Sequence, residues 1–320
     1  MPGWRRLRRG RGFSYLDEYG NRLDDLHVVR IKELVIPPAW TDVWICPLPN
    51  GHLQAVGTDA AGRRQYLYHP DWRVQRDIEK FRHMEEFAAA LIRRRPRVRR
   101  DLGGDDLGRE RVLAAAVGLL DLGMFRIGSD QYAEDNGSYG LTTLEKQHVR
   151  PDGAGIAFEY AAKSGQQVEV TVRDRRVVEV LSALRARRSG PQRLMAYRDG
   201  ADWRDVTAAE VNDYIRDTLE GEYTAKDFRT WRANVIAAWF LAEAPAASKT
   251  ARTKSVSAAM RTVSEHLGNT PAVARSSYVD PRVVDLFGDG VTVEGTYRNI
   301  RPGHAVNRTL EKRVLALLRG

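Results

Sequence analysis

The chain of 320 residues is long enough for about two domains, and a hydrophobic content of 42% is sufficient for buried cores. The net charge of +9 favours a polyanionic partner, with nucleic acid ahead of an acidic membrane surface. The single cysteine, Cys46, excludes an internal disulfide and a cysteine-based metal site. No apolar run suits a membrane span or a signal peptide, so we expect a cytoplasmic protein.

The first part of the sequence is predicted to form a small antiparallel sheet with short helices, after a flexible basic arm at residues 1–11. Three short β-like runs are the strand candidates: Val43–Ile45, Leu53–Val56 and Gln65–Tyr68. Asn50-Gly51 and Gly62 supply the turn chemistry between these runs. We therefore predict a β-rich N-terminal domain over residues 1–92.

A helical run is predicted from Asp71 to about Arg94, because apolar residues recur there at helical spacing with charges between them. Arginines then crowd around Pro96, and a block of like charges is usually solvated. We interpret residues 93–104, which end in Gly103-Gly104, as an Arg/Gly-rich linker within reach of phosphates. The domain boundary is expected at this linker.

Residues 105–320 are predicted to form a larger, mainly α domain, which makes the fold class α+β. Its helices are expected at Val112–Met124, Thr207–Leu219, Thr224–Glu243, Lys254–Leu267 and Val306–Leu318. A β-hairpin interrupts them, since apolar residues alternate on both sides of Ser164-Gly165, and Lys163 lies beside its turn.

The segment around Tyr278 is predicted to be a helix end, a sharp turn and a short helix. Gly268 suits the left-handed position that ends a helix. Thr270 can accept a hydrogen bond from the free N–H groups of the next helix, and Pro271 fits its first position. Tyr278 then lies near the end of this short helix, and Asp280 begins another. A phenol in this place is either a core aromatic or a nucleophile.

The sequence contains neither a P-loop lysine motif nor a Gly-x-Gly-x-x-Gly motif, and its acidic pairs and histidines are poorly spaced for a metal cluster. Phosphate chemistry is therefore expected to run without metal or cofactor. Metal-free cleavage of a phosphodiester needs a nucleophile, fixed positive charge on the non-bridging oxygens, and an acid for the leaving alkoxide. Arginine suits the charge because it stays protonated and binds in a bidentate manner.

Four motifs along the chain fit these needs: Phe125–Tyr132 continuing through Gly140–Leu144, Lys163, Lys226–Thr230, and Tyr278 with Asn269. In kind, order and spacing they resemble the active-site motifs of type IB DNA topoisomerases of the poxvirus and bacterial kind. Gly62–Tyr68 resembles the DNA-facing strand of that family's N-terminal domain. The resemblance covers nearly the whole chain and implies a catalytic domain of the tyrosine recombinase and topoisomerase IB kind.

The resemblance implies a catalytic role for five residues. Tyr278 would attack a DNA phosphate, form a 3′-phosphotyrosine and release a 5′-hydroxyl. Arg126 and Arg229 would clamp the scissile phosphate, and Lys163 would be the general acid. Asn269 stands where part of the family has a histidine that contacts a non-bridging oxygen. Its amide can donate one hydrogen bond but adds no charge.

The resemblance also implies DNA contacts, at Arg63, Gln65, Tyr66, Tyr68, Tyr132 and Lys226. Tyr66 and Tyr68 alternate on one face of a strand, so ordinary sheet packing is the other interpretation. The implied activity is relaxation of supercoiled duplex DNA without ATP or metal. The implied enzyme is a monomer that closes around DNA as a clamp, in the cytoplasm on the nucleoid.

The residues alone leave two other functions open. Tyrosine recombinases share the tyrosine, the arginines and the lysine, but they usually carry His-x-x-Arg at the second arginine. Lys226 occupies that histidine position here, which favours the topoisomerase. A non-catalytic DNA-binding protein that uses only its basic surface is the third interpretation.

Overall fold

The computed structural model describes residues 2–123, 125–295, 297 and 300–320, without the side chains of Tyr132, Asn136 and Ser164. The chain divides into two compact units, Met1–Arg82 and His83–Gly320. No helix within this described part combines the length and apolar character needed to cross a membrane. The structure is mixed helix and sheet, with a small N-terminal sheet and a larger helical part, as predicted.

The first unit is built on a five-stranded antiparallel sheet in the order β2-β1-β3-β4-β5. Its elements are β1 (Trp4–Arg9), β2 (Gly12–Leu16), α1 (Asp25–Glu33), β3 (Thr41–Ile45), β4 (Leu53–Thr58) and β5 (Arg64–Tyr68). The three predicted strands are confirmed as β3, β4 and β5. A small hydrophobic core packs around Trp4, Ile31 and Ile45.

The prediction of a flexible arm at residues 1–11 is wrong, because β1 occupies most of this segment and pairs with β2, which follows it. Trp4 and Arg6 alternate toward the interior of the unit. The Arg6 guanidinium donates hydrogen bonds to the carbonyl oxygens of Ile36, Pro37 and Trp40 at 3.2, 3.0 and 2.7 Å. Arginine is therefore structural here, and the high charge of the segment concealed a strand with the usual period of two.

The long helix α2 (Pro70–Asp101) continues through the segment that we expected to be a linker, so that expectation is wrong in its secondary structure. Leu91, Arg95, Val98 and Leu102 are buried at helical spacing across this segment. This burial offsets the cost of Pro96 inside the helix. By compactness the chain divides inside α2, between residues 82 and 83. The functional domain limits at residues 92 and 104 stay a prediction.

The second unit is mainly helical, and each predicted helix is present. The helices are α3 (Arg109–Asp121), α4 (Asp130–Asn136), α5 (Arg175–Ala186), α6 (Ala208–Leu219), α7 (Ala225–Ala242), α8 (Lys249–Leu267), α9 (Pro271–Ser277), α10 (Pro281–Gly288) and α11 (Arg308–Arg319). Capping boxes start α6 at Thr207 and α7 at Thr224, as their sequences predicted. Residue 124, the expected end of α3, lies outside the described residues.

The strands of the second unit form two small antiparallel sheets. They are β6 (Val149–Asp152), β7 (Gly155–Ala161) and β8 (Gln167–Val172) in one sheet, and β9 (Ala196–Asp199) and β10 (Asp202–Asp205) in the other. The predicted hairpin is confirmed as β7 and β8, with Ile156 paired to Val172 and Tyr160 to Val168. Strands β6, β9 and β10 and helices α4 and α5 had no counterpart in the prediction.

Helix α7 lies at the centre of the second unit and is buried along most of its length, from Phe228 to Trp239. Phe228 contacts Phe87 of α2 in an edge-to-face arrangement with ring centroids 4.9 Å apart. Because α7 is covered on all sides, its polar residues Arg229 and Asn234 are held in fixed surroundings. This burial positions the candidate site.

Candidate active site

Tyr278 ends the short helix α9, as its sequence predicted. The Thr270 hydroxyl accepts a hydrogen bond from the Val273 N–H at 3.3 Å, and Pro271 occupies the first turn. The Tyr278 N–H donates to the Ala274 carbonyl at 3.1 Å and closes the last turn. The Tyr278 side chain is half-buried, so it is not a residue of the closed core.

Asn234 of α7 fixes the backbone on both sides of Val279, directly after Tyr278, and the sequence analysis missed it. Its amide nitrogen donates to the Tyr278 carbonyl at 2.9 Å, and its amide oxygen accepts from the Asp280 N–H at 2.7 Å. The residue is fully buried. The available signal was an amide within an otherwise apolar helix, which must find partners when it is buried.

Arg126 and Arg229 converge on the last two carbonyl oxygens at the end of α8. Arg126, in the loop after α3, donates from Nη2 to the Gly268 carbonyl at 2.7 Å. Arg229 donates from Nη2 to the Leu267 carbonyl at 2.6 Å. One segment therefore holds two guanidinium groups that lie more than a hundred residues apart in the sequence.

Arg229 also contacts the candidate nucleophile, since its Cζ atom lies 5.8 Å from the centre of the Tyr278 ring. Burial lowers the pKa of the Arg229 guanidinium. Tyr278 opposes this shift electrostatically and through a side-chain hydrogen bond, whereas the charge of Arg126 adds to it. Arginine has so high an intrinsic pKa that the group stays protonated at neutral pH. Arg229 is thus a fixed cation beside the phenol, and Arg126 lies close enough to act electrostatically on Arg229.

Asn269 lies in the same place, directly after Gly268. Its Oδ1 and Nδ2 atoms are both buried, and neither has a hydrogen-bond partner in the part of the chain that the structure describes. An unsatisfied buried polar group costs about 1–3 kcal/mol. The amide also lines a cleft of about 430 Å³ together with Arg126. A ligand oxygen in this cleft would accept a hydrogen bond from the Nδ2 group of Asn269.

Tyr160 of β7 is a second residue that the sequence analysis did not place in the site. It is buried and lines the same cleft. Burial raises the pKa of the Tyr160 phenol, while the charges of Arg229 and Arg126 lower it. Its ring lies parallel to that of Phe125, next to Arg126, with centroids 6.4 Å apart. Alternation along β7 showed an inward side chain, but the sequence could not show what it faces.

Lys163 lies at the tip of the β7–β8 hairpin, in a single turn of 3-10 helix over Lys163–Gly165. The side chain is exposed. The neighbouring Gln166 reaches the end of α8, since a Cβ added to Gly268 would lie 2.8 Å from its Oε1 atom. The hairpin thus brings its tip close to the segment that holds both arginines.

Lys226 is exposed in the first turn of α7, three residues before Arg229. The backbone of Tyr132 belongs to α4, and its side chain lies outside the described residues. Among the described residues, no three histidine, cysteine or acidic side chains are grouped closely enough to hold a metal ion.

The remaining predicted DNA contacts lie together in the first unit, on the β4–β5 hairpin. Asp59 accepts hydrogen bonds from Arg63 Nε at 2.9 Å and from Gln65 Nε2 at 2.8 Å. Tyr66 is 49% exposed, and its ring stacks on Tyr68 with centroids 6.3 Å apart. Core packing therefore does not account for Tyr66, and the hairpin presents a cation, an amide and an aromatic ring together.

Two family models and a curated relative are similar to this chain. The model of the family described as "Eukaryotic DNA topoisomerase I, catalytic core" matches residues 69–285. The model described as "Bacterial DNA topoisomerase IB, N-terminal domain" matches residues 12–59. A curated relative, DNA topoisomerase 1B of Acanthamoeba polyphaga mimivirus, is 30% identical over 298 residues, which cover 90% of this chain and 88% of the relative.

Proposed function

The chain belongs to the type IB DNA topoisomerase family, and on that premise we propose that it relaxes supercoiled DNA through a covalent bond to Tyr278. The observation that carries this assignment is the convergence of Arg126 and Arg229 on the end of α8, next to Asn269, with Arg229 also in contact with Tyr278. In this proposal the Tyr278 oxygen attacks a DNA phosphorus atom and displaces the 5′-oxygen. The product is a 3′-phosphotyrosine.

Each neighbouring group has a part in this exchange. The charges of Arg126 and Arg229 stabilise the negative charge that grows on the non-bridging oxygens. The Asn269 amide donates one further hydrogen bond, and its lack of a partner in the described part of the chain supports this role. Lys163 gives a proton to the departing 5′-oxygen, while the phenol proton of Tyr278 passes to solvent.

The exchange is reversible because one phosphoester bond replaces another. Its energy is kept in the covalent intermediate, so the reaction requires neither ATP nor a metal ion. The free 5′-end rotates about the intact strand before its hydroxyl attacks the phosphotyrosine and reseals the backbone. This step relaxes the supercoil and restores Tyr278.

The proposed DNA contacts complete this function. Charged, polar and aromatic side chains of the first unit bind the duplex, at Arg63, Gln65, Tyr66 and Tyr68. Tyr132 and Lys226 add contacts in the second unit. We propose that a monomer closes around the duplex as a clamp, in the cytoplasm on the nucleoid. A recombinase or a non-catalytic binding protein would not be expected to relax a single plasmid.

The test is relaxation of a negatively supercoiled plasmid in EDTA without nucleotide. The wild-type chain should give relaxed topoisomers, and the Tyr278→Phe variant should give none while it still binds the plasmid. A requirement for magnesium or ATP would contradict the proposed mechanism. Recombination between paired sites without relaxation of a single plasmid would instead indicate a recombinase.

A further inference from the structure

A second cavity in the larger unit has an arginine-rich lining, and four of its arginines are exposed at the surface. It has a volume of about 570 Å³ and shares no lining residue with the cleft of Arg126 and Asn269. Five arginines line it: Arg95, which is paired with carboxylates, and four others from three helices, Arg99 of α2, Arg175 and Arg176 of α5, and Arg308 of α11. We call this cavity the arginine pocket.

Most carboxylates around the arginine pocket already have partners. Asp121 forms an ion pair with Arg95 at 2.7 Å. Asp174 caps α5 by accepting hydrogen bonds from its first N–H groups. Glu179 pairs with Arg111 at 3.1 Å. Asp105 is the remaining carboxylate of the lining, and five arginines against four carboxylates give the lining a net charge of +1.

Within the described part of the chain, the side chains of Arg99, Arg175 and Arg308 form no hydrogen bond or ion pair. Arg176 donates a single hydrogen bond, to the Arg99 carbonyl. Burial lowers the pKa of Arg308, and the charges of Arg99 and Arg95 lower it further. These guanidinium groups are crowded, and their donors are available to a ligand.

The backbone adds positive potential to the same place. Arg175 and Arg308 are the first residues of α5 and α11, where the helix dipole is positive. Cations at this end of a helix are unfavourable unless an anion lies nearby. Two of the arginines of the pocket therefore lie where the helix field disfavours a cation.

We propose that the arginine pocket binds an oligophosphate anion, such as inorganic tripolyphosphate or the phosphate chain of a nucleoside triphosphate. Planar guanidinium groups bind phosphate oxygens through paired N–H donors, so several arginines can hold consecutive phosphates. The volume lies in the range of small-molecule sites, about 300–1,000 Å³. A DNA duplex is too wide to enter a cavity of this size. This proposal does not depend on the reaction at Tyr278.

The test is isothermal titration of the full chain with tripolyphosphate, with ATP and, separately, with a short DNA duplex. The Arg99→Ala/Arg308→Ala double variant should bind tripolyphosphate at least about tenfold more weakly, a loss of about 1.4 kcal/mol. Its matched control is Arg150→Ala/Arg188→Ala, which removes the same charge from exposed positions outside the pocket. The control should bind tripolyphosphate nearly as well as the wild type.

If ATP also binds, and if the double variant loses the same affinity for ATP as for tripolyphosphate, the site extends to nucleotides. If only tripolyphosphate binds, the site is restricted to the free anion. Each of these two outcomes supports the proposal. The absence of tripolyphosphate binding to the wild type would overturn it, and so would an equal loss in the control. If the DNA duplex displaces tripolyphosphate, and if the double variant loses the same affinity for the duplex, the arginines form a DNA-binding surface instead. Equal melting temperatures would show that both variants are folded.

Discussion

The Tyr160 hydroxyl is a neutral hydrogen-bond donor in a site whose positive charges come from arginine. The residue lines the cleft that also contains Arg126 and Asn269, and the charges of both Arg126 and Arg229 act on its phenol. Burial raises its pKa, so the phenol keeps its proton and remains a hydrogen-bond donor at neutral pH. Where part of the family has a histidine, this chain has Asn269, and Tyr160 adds a second neutral donor to the same cleft.

We therefore predict that Tyr160→Phe slows DNA cleavage by about 10- to 100-fold, the effect of losing one hydrogen bond to a charged group. DNA affinity should change little, because the ring and its packing on Phe125 are kept. Single-turnover formation of the covalent adduct and a binding titration measure the two effects. Tyr139→Phe is the control, since Tyr139 lines the same cleft. Equal rates for Tyr160→Phe and the wild type would exclude a role for this hydroxyl.

At the residue scale, the sequence predicted which side chains belong to the candidate site better than it predicted their hydrogen-bond partners. Arg126, Arg229, Asn269 and Tyr278 were expected in the site, and the structure brings them together. Asn234 was missed because its partners, the Tyr278 carbonyl and the Asp280 N–H, are backbone groups at sequence separations of 44 and 46. Contacts to backbone leave no pattern of complementary side chains in the sequence.

The end of α8 is the element on which the site depends. Gly268 ends this helix in the left-handed conformation, with φ of 58°, and its carbonyl accepts the hydrogen bond from Arg126. A Cβ at this position would also lie 2.8 Å from Gln166 Oε1 on the Lys163 hairpin. The glycine therefore joins three parts of the site: an arginine, the hairpin and the turn that leads to Tyr278.

We predict that Gly268→Ala lowers the stability by at least about 1 kcal/mol, because alanine is strained at this φ. It should also slow covalent adduct formation about tenfold or more, since the carbonyl that holds Arg126 moves. Gly290→Ala is the matched control, with φ of 82° and open space around its Cβ. The control should lose stability but keep its cleavage rate. Equal cleavage rates in the two variants would show that Gly268 only ends a helix.

The prediction of helices and strands succeeded where residues close in sequence determine the structure. It failed where contacts between residues distant in sequence determine it. The caps at Thr207, Thr224 and Thr270 were readable because each bonds within its own first turn. The continuation of α2 was not readable, since it depends on Arg95 meeting Asp121 and Glu311 at sequence separations of 26 and 216. The strand β1 was hidden because its inward Arg6 binds carbonyl oxygens.

At the scale of the whole molecule, the buried Tyr214 makes the free energy of unfolding depend on pH in the alkaline range. The Tyr214 hydroxyl donates to Asp101 at 2.6 Å. Burial raises the pKa of Tyr214, and the hydrogen bond and charge of Asp101 raise it further. The unfolded chain releases this proton near pH 10, while the folded chain keeps it. The stabilisation is therefore complete below about pH 10 and is lost as the pH rises toward the folded pKa.

We predict that the melting temperature falls more steeply above about pH 10 in the wild type than in Tyr214→Phe. The phenylalanine keeps the packing but has no proton to release, so its curve lacks this contribution. Tyr19→Phe, at a position that is 82% exposed, is the control and should follow the wild type. Thermal unfolding followed by circular dichroism across this pH range gives the comparison. Parallel curves for all three proteins would show that Tyr214 does not contribute.

The central claim is that the Tyr278 oxygen becomes bonded to DNA. The most direct measurement is to trap the covalent complex on a labelled duplex, digest the protein and identify the modified peptide by mass spectrometry. We predict a single nucleotide adduct on Tyr278, attached through a 3′-phosphate, and no adduct in the Tyr278→Phe variant. An adduct on another residue, or one that persists in Tyr278→Phe, would contradict the claim.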